Sequence, residues 1–316
     1  MKQFIFMLLS VVVFSCQQEK TTTFTLCTDV HQDLIHDASN RLNEFIKTSE
    51  NENADFILQL GDFCLPLEKN QTFLNLWNSF KGPKYHVLGN HDMDISPKIV
   101  TQEFWGMEKP YYSFDQGDFH FVVLDPNYYK DGEEMVSYEN GNYYNYADNR
   151  AFIPESQLNW LRNDLADTDK YTLIFSHQSL EHKHGIKNRE EVHKIFAEAN
   201  MTSKKVIACF CGHDHEDRYV EIEGIHYIGL NSTSYTWVGD KLEYSGRFSE
   251  QIEKEHPNLK YTCPYQKSVF AIIELNSKGT ITINGVQSDF VKPGPDELGA
   301  ENHNYSAGIS NRTLIF

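Results

Sequence analysis

The run Phe56-Ile57-Leu58-Gln59-Leu60-Gly61-Asp62 decides the reading of this chain. Its first five residues, four of them apolar, form a short buried strand, and the glycine and carboxylate that follow end it sharply. A polar residue just beyond a buried strand lies at the edge where α/β sheets present their ligands. The same pattern repeats outward in both directions. Upstream, Phe24 to Cys27 is a β-prone run followed by Asp29-Val30-His31. Downstream, Tyr85-His86-Val87-Leu88 leads into Gly89-Asn90-His91-Asp92. Further along, the Tyr171 to Phe175 strand ends in Ser176-His177, and the Val206 to Phe210 strand ends in Gly212-His213-Asp214-His215.

Between these strands the apolar period changes from two to about 3.6. Leu42, Phe45 and Ile46 form one helical stripe, Phe73, Leu76, Trp77 and Phe80 a second, and Leu158, Leu161 and Leu165 a third. Val192, Ile195, Phe196 and Ala199 form a fourth, opened by Asn188 and Glu191 as a capping box. Strands alternating with helices predict parallel β-α-β units. The last part is richer in strands, with Val269 to Glu274 and Ile281 to Ile283 joined by a turn at Asn276 to Gly279. The order fits an α/β fold in which two mixed β-sheets face each other with helices outside. One domain is expected over 24–291, without internal repeat or linker, followed by a C-terminal tail at 292–316. Residues 126–150 form a Tyr- and Asn-rich stretch too long for an ordinary connection, and such loops tend to be functional.

Composition bounds the function. The chain has 316 residues, 40% of them apolar, and a net charge of −17, which speaks against a broad phosphate-tracking surface for nucleic acid. It does not exclude a phosphorylated substrate, because bound metals invert the local field. The first residues read as a leader rather than as fold. Lys2 precedes an apolar run from Phe4 to Phe14 that is too short for the ~20 residues of a bilayer span. Val13-Phe14-Ser15-Cys16 resembles the bacterial lipobox, which predicts a signal peptide over 1–15, lipidation at Cys16 and a polar tether over 16–23. Export to the periplasm or cell surface follows, with membrane contact only through that lipid. Five cysteines remain, an odd number, and they are expected as buried thiols.

Each strand-end motif has a bland alternative when taken alone. A lone Asp caps a helix, a lone His fills a core, and Gly-Asn tolerates the positive φ of a turn. Together and in this order, Asp-x-His, Gly-Asp, Gly-Asn-His-Asp, a His after a strand, and Gly-His-x-His resemble the calcineurin-like metallophosphoesterase superfamily. Tyr112-Ser113-Phe114-Asp115 and His120-Phe121-Val122-Val123-Leu124-Asp125 resemble its branch of cyclic-nucleotide phosphodiesterases and purple-acid-phosphatase-like enzymes.

That resemblance implies the four-layer α/β/β/α sandwich and two divalent metal ions, with Mn, Fe and Zn all admissible. It places a first metal on Asp29, His31, Asp62 and His215, and a second on Asp62, Asn90, His177 and His213, with Asp62 bridging. It implies hydrolysis of a small phosphoester by a metal-activated hydroxide, with His91 donating a hydrogen bond or proton at the phosphate or leaving oxygen. A phosphodiesterase for nucleotide-like substrates is the first expectation. A phosphate-scavenging phosphomonoesterase and a non-catalytic surface lipoprotein are the alternatives. Many relatives carry Asp three residues after the bridging Asp to steady the catalytic His, and purple acid phosphatases carry a ligating Tyr there. Leu65 stands at that position, leaving the support of His91 open. Tyr128, Tyr129 and Tyr144 are the candidates for stacking on substrate.

Overall fold

The computed structural model describes residues 21–300 and 305–316. The leader and Cys16 lie outside the described residues. The first half of the chain runs β1 (Thr21–Cys27), α1 (Ala38–Asn51), β2 (Phe56–Gln59), α2 (Gln71–Asn78), β3 (Lys84–His86), α3 (Lys98–Trp105), β4 (Tyr112–Gln116), β5 (Phe119–Val123), β6 (Tyr128–Asp131) and β7 (Glu134–Ser137). It continues with α4 (Glu155–Ala166), β8 (Tyr171–Phe175), α5 (Arg189–Asn200), β9 (Val206–Cys211), β10 (Arg218–Ile222), β11 (Ile225–Gly229) and β12 (Tyr235–Trp237). The last elements are α6 (Glu250–Glu255), β13 (Thr262–Pro264), β14 (Ala271–Asn276), β15 (Thr280–Gly285) and β16 (Arg312–Ile315).

Two six-stranded mixed sheets result. One has the order β16-β15-β14-β1-β2-β3, with β1, β2 and β3 parallel. The other has the order β10-β11-β9-β8-β5-β4, parallel from β11 to β5 and closed at each edge by an antiparallel strand. The period of two decides which side chains meet. Phe24, Leu26, Phe56, Leu58 and Leu60 face Phe121, Val123, Leu173, Phe175 and Phe210 in one core between the sheets. Phe24 stacks on Phe56 at 4.7 Å and meets Phe121 and Phe175 of the other sheet edge-on.

The opposite faces take the helices. Cys27 and Ile57 pack with Leu42 and Phe45 of α1 and with Phe73 and Trp77 of α2. Val122, Ile174 and Cys209 pack with Leu161 of α4 and with Val192 and Ile195 of α5. The four layers follow from these alternations, and they bring the carboxyl ends of β1, β2, β8 and β9 to one edge.

Two boundaries and one helix cap differ from the sequence reading. Thr21 to Thr23, assigned to the tether, form the start of β1, with Thr21 opposite Asn276. The segment read as a C-terminal tail carries structure, because Arg312–Ile315 adds an antiparallel edge strand to β15. Asn188 does not cap α5 in the expected way. Its Oδ1 accepts from the Ile153 amide at 3.0 Å, so it ties the loop before α4 to the start of α5. The five described cysteines are free and buried.

Candidate dinuclear metal site

The strand-end residues converge. The backbone amide of Asp29 donates to the carbonyl of Gly61 and that of His31 to the carbonyl of Asp62, both at 3.0 Å, which fixes the first loop on the second. The amide of Gly212 donates to the carbonyl of His177, and the amide of His213 donates to Asp29 Oδ2, also at 3.0 Å, joining the two sheets. Two glycines are required by contact. A Cβ at Gly89 would lie 2.2 Å from both the Asp62 amide nitrogen and Oδ1, and one at Gly212 would lie 2.0 Å from Thr28 Oγ1.

Asp29, His31 and His215 bring one donor atom each within 4.8 Å of the others, and Asp62, His177 and His213 form a second such trio. Asp62 Oδ2 stands between them, 3.7 Å from His31 Nε2 and 3.2 Å from His177 Nε2. Asp29 Oδ1 is 3.2 Å from His215 Nε2. Five of the seven ligand candidates hold positive φ, namely Asp29, His31, Asp62, His213 and His215. Non-glycine residues adopt that region at a cost of about 1–3 kcal/mol each, and such strain concentrates at functional sites.

The surrounding contacts leave the right atoms free. Thr28 Oγ1 donates to Asp29 Oδ2 at 2.6 Å, so Oδ1 is buried without a hydrogen-bond partner. His177 Nδ1 donates to the Leu60 carbonyl at 2.8 Å and His215 Nδ1 to the Tyr235 carbonyl at 2.9 Å, which turns both Nε2 lone pairs inward. Asn90 Nδ2 donates to the Tyr143 hydroxyl, and its Oδ1 is buried without a partner. Buried acceptors without donors are uncommon in proteins. Two carboxylates, four imidazoles and one amide oxygen aimed at a common centre fit a pair of hard or borderline divalent cations.

Charge explains the titration of the set. Burial holds His31 down at about 4, and burial with the neighbouring His177 holds His213 at about 4, so both are neutral donors. Burial also opposes ionisation of Asp29 and Asp62, but the adjacent histidines keep both carboxyls below the usual range. His177 moves the other way, to about 10, because Asp62 and Asp29 outweigh its burial. Unbalanced carboxylates draw a proton to the place a cation would fill.

His91 sits on a short 3-10 turn, His91–Met93, with its side chain 40% exposed at the mouth of the site. The question left by Leu65 is answered by Asp94. Its Oδ2 lies 2.9 Å from His91 Nδ1, and its Oδ1 accepts from the Tyr143 hydroxyl at 2.6 Å. Tyr144 Oη is 3.1 Å from both His91 Nδ1 and Asp94 Oδ2. Burial lowers the His91 pKa, yet Asp62 and Asp94 together raise it to about 9. Asp94 was missed in the sequence, although its spacing of three from His91 matches the 3-10 repeat. Asp92 turns away and holds the loops, its carboxylate accepting from the amides of Asp62, Phe63 and Gly89 at 2.7–2.9 Å.

Over the metal site opens a cavity of about 760 Å³ that includes Tyr144 and Trp237 in its walls. Tyr128 and Tyr129, expected to face substrate, do not line it. Tyr129 is buried and stacks on Tyr146 at 4.0 Å, and the ring of Tyr128 lies 4.0 Å from Lys98 Nζ. Both serve the packing of the β6–β7 hairpin.

The sequence matches the description calcineurin-like phosphoesterase over residues 22–217. The chain belongs to that family. It is 24% identical over 277 residues to human tartrate-resistant acid phosphatase type 5, covering 77% of this chain and 80% of the relative. It is 25% identical over 230 residues to the manganese-dependent ADP-ribose/CDP-alcohol diphosphatase of Oryza sativa subsp. japonica, covering 58% of this chain and 70% of the relative. Among solved structures it resembles a dimetal phosphatase from Danio rerio, with a TM-score of 0.57 at 18% identity over 85% of this chain and 98% of the other. Membership makes this phosphoesterase a metal-dependent phosphoric ester hydrolase.

Proposed function

We propose that this phosphoesterase hydrolyses phosphodiesters of small, nucleotide-like molecules, with Asp29, His31, Asp62, Asn90, His177, His213 and His215 holding the metals. The observation that carries the reading is the lining of the main cavity. Asp94 contributes a carboxylate to it, as do Asp33 and Asp214, which pair with Lys69 and Arg218 at 2.8 Å, and among the described residues no lysine or arginine lines the cavity itself. A monoester brings up to two negative charges into that field, whereas a diester brings one and needs room for two substituents. Tyr144 and Trp237, 52% and 47% exposed, offer faces on which an aromatic substituent stacks.

When bound, a divalent pair supplies Lewis acidity and lowers the pKa of water. The chain's own residues do the rest. Asp62 belongs to one donor trio and approaches His31 of the other at 3.7 Å, the Leu60 and Tyr235 carbonyls fix the tautomers of His177 and His215, and Asp94 aims His91. His91 then presents a proton toward the departing oxygen.

A second reading, phosphomonoester hydrolysis, is favoured by the likeness to tartrate-resistant acid phosphatase. The experiment strips the protein of metal and reloads it with Mn, Zn or Fe. It then compares bis-p-nitrophenyl phosphate with p-nitrophenyl phosphate, beside Asp62→Asn. Metal-dependent turnover that favours the diester and is lost with Asp62→Asn supports the proposal. A preference for the monoester selects the second reading, and silence with two metals bound defeats both. The lipid anchor at Cys16 is proposed with this function on the leader sequence alone, and the mass of the mature N-terminal peptide tests it.

A further inference from the structure

A second recess opens behind the metal site. It measures about 180 Å³ and shares Asn90 and His213 with the ligand set, so it lies beside the second metal's place, with His213 standing between it and the aromatic cavity. Its chemistry is the reverse of that cavity's. Arg150, Lys187 and His184 line it, and among the described residues neither Arg150 nor Lys187 forms an ion pair. Arg150 is held by packing, its guanidinium 5.5 Å over the ring of Tyr143, whose hydroxyl meets Asn90. The one carboxylate in the lining, Asp148, is at the exposed rim.

Gln178 adds an independent requirement. It is 2% exposed and lines the recess. Its Nε2 donates to Asn127 Oδ1 at 3.1 Å, and Asn127 Nδ2 is committed to the Leu88 carbonyl and Asp125, so the amide orientation is fixed. Gln178 Oε1 is therefore a buried acceptor, and it has no donor. The recess thus combines two cationic side chains with one buried acceptor that lacks a donor.

We infer that this recess binds the second arm of the substrate, and that this arm is a small polyol bearing its own phosphate. The inference rests on the diester reading and deepens it. A diester has two substituents and the site has two compartments, one aromatic and acidic, the other compact and basic. Arg150 and Lys187 neutralise the distal phosphate, and Gln178 Oε1 accepts from the neighbouring hydroxyl.

The test uses two p-nitrophenyl phosphate diesters on the metal-loaded protein. They share the aromatic arm and differ in the other, methyl in one and 2-hydroxy-3-phosphopropyl in the second. The wild type should favour the phosphorylated arm in kcat/KM by about ten- to a hundredfold, the worth of one charge-assisted hydrogen bond. Arg150→Gln/Lys187→Gln should abolish that preference and leave the methyl ester unchanged. Arg150→Lys alone should retain most of it. Equal rates for the two esters in the wild type, or a preference that survives the double substitution, overturn the subsite while leaving the diesterase reading intact. Turnover of neither ester removes the diesterase reading and the subsite with it.

Discussion

Replacing Asp94 tests the assignment of His91 more sharply than replacing His91 itself. Asp94 touches no ligand atom of the candidate metal site. Its contacts are His91 Nδ1 at 2.9 Å and the hydroxyls of Tyr143 and Tyr144. Asp94→Ala removes a charge-assisted hydrogen bond worth about 1.5–3 kcal/mol. If that bond aligns His91 in the transition state, kcat falls about 10- to 100-fold, with KM little changed. The loss must stay within the ~10²–10⁴ that a general acid contributes.

The leaving group provides the discriminating assay. p-Nitrophenolate departs without a proton, so a p-nitrophenyl diester should lose little, whereas an alkyl diester should take the full penalty. The pH profile adds a sign. Asp94 helps hold the His91 pKa high, so removing it lets the pKa fall. Activity that needs protonated His91 should then decline at a lower pH on the alkaline side. In a His91→Ala background, Asp94→Ala should cost nothing more, because the two act as one unit. Equal losses on both ester types, or an additional loss in that background, would show that Asp94 supports the fold of the loop and not the alignment of His91.

Two further predictions concern stability around the site. Asp92→Ala strands three buried amides, those of Asp62, Phe63 and Gly89, and should cost about 3 kcal/mol or more in denaturant unfolding; a loss under about 1 kcal/mol would refute its role as the clamp of these loops. His86 is buried against Trp105 with its Nδ1 3.0 Å from Gln59 Nε2, and burial together with Lys84 depresses its pKa from 6.5 to about 3. A base whose folded pKa is depressed contributes stability that is fully present above 6.5 and is lost as pH falls toward 3. Urea midpoints between pH 7.5 and 4.5 should therefore fall less steeply in His86→Leu than in the wild type, and parallel slopes would contradict the assignment.

What the sequence disclosed and what it hid divide along a physical line. Side-chain chemistry at a strand end is local, so the strand-end motifs, read through the family resemblance, single out Asp29, His31, Asp62, Asn90, His177, His213 and His215; the structure gathers six of them into two trios and leaves the buried Asn90 Oδ1 without a partner. The sandwich was legible for the same reason, since apolar alternation at Phe24/Leu26 and Phe56/Leu58 records which face is inner. Tyr128 and Tyr129 misled because a tyrosine in a long loop carries no sign of which way it points, and the hairpin that buries Tyr129 depends on its pairing with Val136. The terminal strand over Arg312–Ile315 escaped because its partner, β15, is far back in the chain and no local pattern links the two.

The backbone strain is the instructive omission. Asp29 and His31 both hold positive φ, as do His213 and His215, with one residue between the members of each pair. Those intervening residues do other work. Val30 is buried in the core under α1, and Asp214 pairs with Arg218 at 2.8 Å. The x in each Asp-x-His or His-x-His pattern is thus an anchor that pulls the chain outward while its neighbours turn in. Left-handed backbone at non-glycine residues persists only where the surroundings over-determine it. Here amides fixed on Gly61 and Asp62 supply that constraint on one side of the site, and the His213 amide on Asp29 supplies it on the other. A motif of ligand types records which atoms meet the metals. The sign of φ that lets them meet is set by hydrogen bonds between loops about 30 to 180 residues apart, and no local pattern carries it.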